Sequence, residues 1–190
     1  MIGGGPERET GQSRMCNARI MDVRHIRTEE FGELGAVTIR AYESIFAPMP
    51  LGGYAEELSD VSMRAADSEV LVAVDDEGSL LGGVTYVPGA DRALAEFDDP
   101  FAAGIRMLAV DPTRQGEGVG RALMEACIAR AVKASRSRII LHSTPEMTRA
   151  HALYASLGFL RAPDLDVLID EEPYDEASPL LLMAFTLAIT

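Results

Sequence analysis

From Met21 onward, polar and apolar residues alternate in blocks that switch between the two-residue period of strands and the 3.6-residue period of helices. Asp22 to Arg27 reads as a short strand. Thr28 is placed to cap a helix through about Ser44, with Glu29 and Glu30 in the first turn, where the helix dipole favours acids. The breaker APMPLGG precedes an amphipathic helix from Tyr54 to about Ala66. EVLVAV, DDEG and SLLGGVTYV read as strand, turn and strand, a β-hairpin, followed by a long acidic loop through Pro100. Then come a strand from Ile105 to Val110, a glycine-rich loop, and a helix from Val119 to about Ala134. RIILHS is too short for a helix and reads as a strand. TPEMTRAHALYASLGF opens on Thr and Pro and stops at Gly158, the punctuation of a helix. Phe159 onward is expected to be extended, Asp164 to Glu176 to be an acidic loop, and Leu180 to Ile189 to be a closing strand.

This order predicts one α/β domain over residues 21–190. Residues 1–20 are rich in Gly, Glu and Arg without periodicity and read as a loose tail, in which Met15, like Met21, is an alternative start. At 190 residues, 47% hydrophobic and 25% charged, the chain is long enough for one full core. MIGGGPERETGQSR has no apolar core after a basic start, and LLLMAFTLAI is too short to span a bilayer, so the expected location is cytoplasmic. Cys16 and Cys127 are too few for a disulfide framework or a metal cluster, and Cys127 lies in a helical pattern as a small core residue.

A formal charge of −13 argues against nucleic acid and anionic membrane as partners. The charge is unevenly spread. Nine of the 17 basic residues but only four of the 30 acidic ones fall between Arg106 and Arg161. That segment suits an anion, and the rest suits a cation or simple solubility.

The basic segment contains DPTRQGEGVGRALMEACIARA, with Gly116, Gly118 and Gly120 between a strand and a helix. A helix start leaves amides without partners, and glycine lets a phosphate reach them without meeting a Cβ. Arg114 and Arg121 flank the loop and can add charge-assisted contacts. Three loop classes compete. The nucleotide-triphosphate loop needs Lys-Ser or Lys-Thr after its last glycine, where Arg121 and Ala122 stand. The dinucleotide fingerprint needs a third glycine where Arg121 stands, and RIILHS carries no acidic ribose ligand. The third class matches: Gln115-Gly116-Glu117-Gly118-Val119-Gly120 is a Q-x-x-G-x-G signature.

On this signature the segment closely resembles the GNAT superfamily of acyl-CoA N-acyltransferases, most strongly from Ile105 to Phe159. The resemblance implies a single-domain α/β fold with a mixed, mostly antiparallel sheet flanked by helices. It implies acetyl-CoA as co-substrate, no metal, and a small-molecule or peptide amine as acceptor; a homodimer is compatible with it. It implies a bulged strand whose backbone at Leu108, Ala109 and Val110 holds the pantetheine arm. The pyrophosphate would lie on the amides of Gln115, Gly116, Glu117, Gly118, Val119, Gly120 and Arg121. Beyond the loop the next strand splays away to open a thioester slot, its end here being His142 and Ser143. Tyr154, in ALYASLGF, aligns with the tyrosine that serves as general acid toward the leaving thiolate. By spacing alone, a tyrosine beside Leu153 and Leu157 is a boundary residue with its hydroxyl in water.

The chain departs from the family at the base. An alkyl amine of pKa about 10.4 is neutral in roughly one molecule in 2,500 at pH 7, and only that form attacks a carbonyl. Many relatives carry a glutamate where Gly104 stands. Glu96, Asp98 and Asp99 lie upstream and could be reached, although a solvated acidic loop accounts for all three. For His142 and His151, satisfied polar residues are the simpler reading, and no metal-ligand spacing accompanies them. The expected function is therefore N-acetyl transfer to an amine by direct attack. The alternative is a non-catalytic acyl-CoA-binding sensor or regulatory module.

Overall fold

The computed structural model describes residues 21–47, 51–169 and 179–189. Its strands are β1 (Asp22–His25), β2 (Glu69–Val74), β3 (Leu80–Val87), β4 (Ala102–Val110), β5 (Arg138–Ser143), β6 (Leu160–Arg161), β7 (Val167–Ile169) and β8 (Leu180–Ala188). They form one sheet in the order β1-β2-β3-β4-β5-β8-β6, with β7 also paired to β8. Among the described residues only β4 and β5 run parallel. A parallel pair needs a crossover, and α4 (Val119–Lys133) supplies it. The remaining helices are α1 (Phe31–Phe46), α2 (Tyr54–Ser59), α3 (Val61–Asp67) and α5 (Thr148–Ser156). The mixed, mostly antiparallel sheet with flanking helices is the expected fold class.

Helices on both faces explain why β2 and β3 read as continuous apolar runs. Val70, Val72 and Val74 pack with Leu34 and Val37 of α1 and Val61 of α3. Leu71 and Ala73, on the other face, pack with Leu123, Met124 and Cys127 of α4. Burial pushes the Cys127 thiol up to about 12, which suits a packing residue and not a reactive one.

Strand β4 breaks its own alternation. Gly83 opposes Ala109 and Thr85 opposes Arg106, so β4 holds one residue more than β3 between these pairs. Met107 takes φ 51 there, a β-bulge. Ile105 packs on the α4 face, whereas Met107 and Ala109 pack with Ala41 and Tyr42 of α1. The bulge thereby leaves Arg106 on the α1 face, beside the start of the functional groove.

Several boundaries differ from the sequence reading. The helix expected from Tyr54 to Ala66 is two helices, because Asp60 caps a fresh start by accepting the Met63 amide at 3.0 Å. Thr28 lies in a single 3-10 turn, and it is Glu30 that takes the Arg27 amide at 2.8 Å. Strand β4 begins at Ala102, earlier than the apolar pattern suggested. β7 falls in the expected acidic loop, where Val167–Ile169 pair with Leu182–Leu180. Residues 170–176 of that loop, the N-terminal tail and Cys16 lie outside the described residues. Among the described residues no helix is long and apolar enough to cross a membrane.

Candidate active site

The chain leaves β4 at Val110 and turns on Asp111, whose Oδ1 accepts the Thr113 amide at 3.0 Å and whose Oδ2 accepts Arg40 at 2.6 Å. Burial alone would raise this carboxyl, but Arg40 and Thr113 outweigh it and bring it down to about 2. After a 3-10 turn at Pro112–Arg114, Gly116 and Gly118 adopt φ +88 and +86, the left-handed region that glycine enters without strain. A Cβ at either position would meet nothing within 4 Å, so bare main chain faces open space. The Ala122 amide bonds to the Gly118 carbonyl at 3.0 Å, the first such bond of α4. Amides from Gly118 to Arg121 therefore have no acceptor within the helix, and the dipole adds partial positive charge there. Gly120 has a different reason for being small: its Cβ would stand 3.3 Å from Leu153 Cδ2, where α4 crosses α5.

The cations around this corner are not the pair that flanks it in sequence. Arg114 turns back to Glu117 at 3.2 Å and Asp75 at 3.7 Å. Arg121 stays at the rim, donating to Ser156 Oγ at 2.6 Å. Arg149, from the first turn of α5, donates to Gln115 Oε1 at 2.6 Å and brings a second charge to the loop. Nothing in the spacing of TPEMTRAH signals that approach, because it depends on how α5 packs against α4.

Upstream of the loop, β4 and β5 part company. Their parallel pairing ends at Ile105 and Leu141, and beyond it β5 pairs only with β8, through His142 and Ser143. Among the described residues, the β4 edge facing β5 has no strand partner from Met107 to Val110, so its backbone groups line a slot. Leu108 and Val110 are half-buried against the α4-side core, Ala109 is buried on the other face, and Val119 is buried at the head of α4. Tyr154 lies deep beside this corner, its ring 6.0 Å from Phe159, 5.6 Å from Phe185 and 6.4 Å from His151. Burial pushes its phenol further above the usual value, which already leaves a tyrosine protonated at neutral pH.

On the α1 face of the slot lies a cluster joining Glu96 and His142, which the sequence reading takes separately, as a solvated loop and a satisfied polar residue. Gly104 leaves room for the Phe97 ring: a Cβ there would meet Phe97 Cε1 at 2.7 Å. This contact folds residues 94–97 over β4 and β5. Glu96 then reaches Arg106 Nη1 with Oε1 at 2.7 Å and His142 Nδ1 with Oε2 at 3.1 Å. His142 Nε2 faces the Leu165 carbonyl at 3.0 Å. Both ring nitrogens thus meet acceptors, the arrangement of an imidazolium. Burial pulls His142 down, but Glu96 and the Leu165 carbonyl outweigh it and the net shift is upward. The loop is not simply solvated as expected, since Asp99 also pairs with Arg138 at 2.6 Å and accepts the Phe101 amide at 2.8 Å. His151 is a satisfied polar residue, 3.1 Å from Ser143 Oγ and lowered by burial. Among the described residues no group of three or more His, Cys, Asp or Glu could hold a metal ion.

Residues 37–159 match the family model described as Acetyltransferase (GNAT) family. The chain is 38% identical over 64 residues to a mycothiol acetyltransferase of Kocuria rhizophila, covering 34% of this chain and 21% of the relative. It is 32% identical over 95 residues to the mycothiol acetyltransferase of Renibacterium salmoninarum, covering 48% and 26%. The chain thus spans about a fifth to a quarter of the length of these curated relatives. Among solved structures, a GNAT-family acetyltransferase from Staphylococcus aureus Mu50 superposes with TM-score 0.67 at 11% identity, over 90% of this chain and 100% of that one. A putative acetyltransferase from Salmonella typhimurium, solved with its cofactor acetyl-CoA, gives 0.61 at 17% identity, over 90% and 95%. At such identities the likeness is one of fold.

Proposed function

The chain belongs to the acetyltransferase (GNAT) family, and on that premise we propose that it transfers an acetyl group from acetyl-CoA to a small-molecule amine by direct attack. The observation that carries the reading is the corner at Gly116 and Gly118, where left-handed glycines leave main-chain amides facing open space at the head of α4. Such a corner suits a diphosphate. Arg121 and Arg149 add positive charge beside it. The mycothiol acetyltransferases similar to this chain, by their names, favour a small molecule as acceptor over a protein.

The roles follow from placement. Amides from Gln115 to Arg121 hold the pyrophosphate. The unpaired edge at Leu108, Ala109 and Val110 holds the pantetheine arm, and an amide of that edge stabilises the oxyanion that forms as the amine attacks. Bound in this slot, acetyl-CoA supplies a thioester whose acetyl group is the one transferred. Most of the rate gain comes from holding amine and carbonyl together. Tyr154, protonated at neutral pH as a phenol is, supplies the proton that the departing sulfur needs.

A non-catalytic acyl-CoA-binding module is the rival, and the side-chain-free Gly104 under Phe97 is what favours it. Thiol release from acetyl-CoA, measured across an amine panel, separates the two. Release that depends on the amine supports transfer, and tight binding without release supports the rival.

A further inference from the structure

We propose that Glu96, carried on the β3–β4 loop, is the general base that relays a proton from the acceptor amine to solvent. This rests on the acetyl-transfer reading above and assigns a group within that site. Glu96, with Phe97, Ile140 and His142, lines two adjoining cavities. The inner one, about 10 Å³, lies where β4 and β5 part and is lined by Glu96, Gly104, Ile105, Arg106, Leu141 and His142 among others. Its volume is that of about one water molecule. The outer one, about 290 Å³ and open to solvent, is lined by Glu96, Asp98, Asp99, Arg138 and His142 with apolar neighbours. Glu96 is the one carboxylate on the inner wall, and it lines both.

Its orientation is set from two sides. Arg106 holds Oε1 at 2.7 Å and His142 holds Oε2 at 3.1 Å. Each carboxylate oxygen keeps a further lone pair for a water in the inner cavity. Phe97, seated against Gly104, anchors the loop one residue away. A larger residue at 104 would expel that ring and lift Glu96 out of the slot. The other charged groups nearby are mutually committed or outward: Asp99 pairs with Arg138, Asp98 lines only the outer cavity, and Tyr54 on α2 sits within reach of Arg106.

An ammonium acceptor loses two protons on becoming an amide. The first must leave before attack, and it passes through the inner water to Glu96 and on to the outer cavity. The second leaves nitrogen as the C–N bond forms and the C–S bond breaks. Tyr154 gives its proton to sulfur and is restored by that second proton. One proton in total reaches solvent, and the products are an amide and a thiol. In this scheme Glu96 is catalytic, while Arg106 and His142 position it.

The test is Glu96→Gln, assayed at pH 7 with primary amines whose conjugate-acid pKa values span roughly 7 to 10.4. Loss of a base matters only where the amine arrives protonated. We expect kcat/KM to fall about 100-fold for the most basic amines and less than about threefold for the least basic, with acetyl-CoA affinity unchanged. Asp91→Asn, an exposed carboxylate lining neither cavity, serves as the control and should stay within about threefold throughout. His142→Asn, which frees the Glu96 carboxylate to turn, should lower kcat/KM for the most basic amines more than for the least basic; a merely structural contact would lower the whole series evenly. Equal loss across the amine series, or none, overturns the role of Glu96 alone. Wild-type protein that binds acetyl-CoA but releases no thiol with any amine overturns the transfer reading, and this assignment with it.

Discussion

Two glycines of the loop, two positions apart, should respond oppositely to the same added methyl group. At Gly118 the backbone sits at φ +86 and ψ 0, and a Cβ would meet no atom within 4 Å. Gly118→Ala therefore costs only the left-handed conformation, about 1–2 kcal/mol. At Gly120 the backbone is helical, and alanine gains up to about 1 kcal/mol of helix propensity over glycine. Its Cβ would stand 3.3 Å from Leu153 Cδ2, the end of a flexible side chain that needs to shift by a few tenths of an ångström. The net effect of Gly120→Ala lies between zero and a gain of about 1 kcal/mol. The two variants should thus differ by about 1–3 kcal/mol, with Gly118→Ala the less stable. For a domain of this size each kcal/mol moves the midpoint by about 2–4 °C. Thermal and urea unfolding of the ligand-free proteins reads the difference, and calorimetry with acetyl-CoA reads its consequence for the loop. If Gly120→Ala proves the more damaged variant, α4 and α5 are packed more rigidly than these contacts imply, and the division of labour among the glycines is wrong.

Tyr154→Phe should lower kcat by about 100-fold or more while leaving calorimetric acetyl-CoA affinity intact; an unaltered rate would reduce Tyr154 to packing. Gly104→Glu, placing a carboxylate where relatives carry one, should not raise turnover. It should lose about 1–3 kcal/mol in urea unfolding, because its Cβ would meet Phe97 Cε1 at 2.7 Å and Val87 Cβ at 3.3 Å. His142 has its pKa raised in the folded state, so its stabilising contribution is complete below the unfolded value of about 6.5. That contribution is lost as pH rises through the folded value. The stability difference between wild type and His142→Asn should accordingly shrink with rising pH, and a gap that widens would contradict the imidazolium assignment.

Local chemistry made part of this molecule readable in advance. The run from β4 through the glycine loop into α4 was legible because each signal is satisfied within a few residues: an apolar strand, Asp-Pro to turn, glycines for positive φ, then a helix-period face. The hairpin of β2 and β3 and the stop at Gly158 were legible for the same reason. Tyr154 was found only through the surrounding motif, since its own spacing reads as a boundary residue, whereas in the fold it is buried. The break at Asp60 was missed because the apolar period continues across it. β7 was missed because its acidic flanks resemble a loop until β8 offers it an edge.

By itself, then, the sequence determined the order of the main elements, the left-handed glycine turn at the head of α4 and the family. Only the tertiary structure decided which charges meet. Arg114 flanks the loop in sequence but turns to Glu117 and Asp75, while Arg149 arrives from another helix. The bulge at Met107 leaves Arg106 on the α1 face, and the space left by Gly104 admits Phe97 and carries Glu96 to His142, 46 positions away along the chain. Local signals specify backbone conformation over a turn or two. Side chains far apart in sequence meet through register, bulges and close packing, which are settled only when every strand has its neighbour.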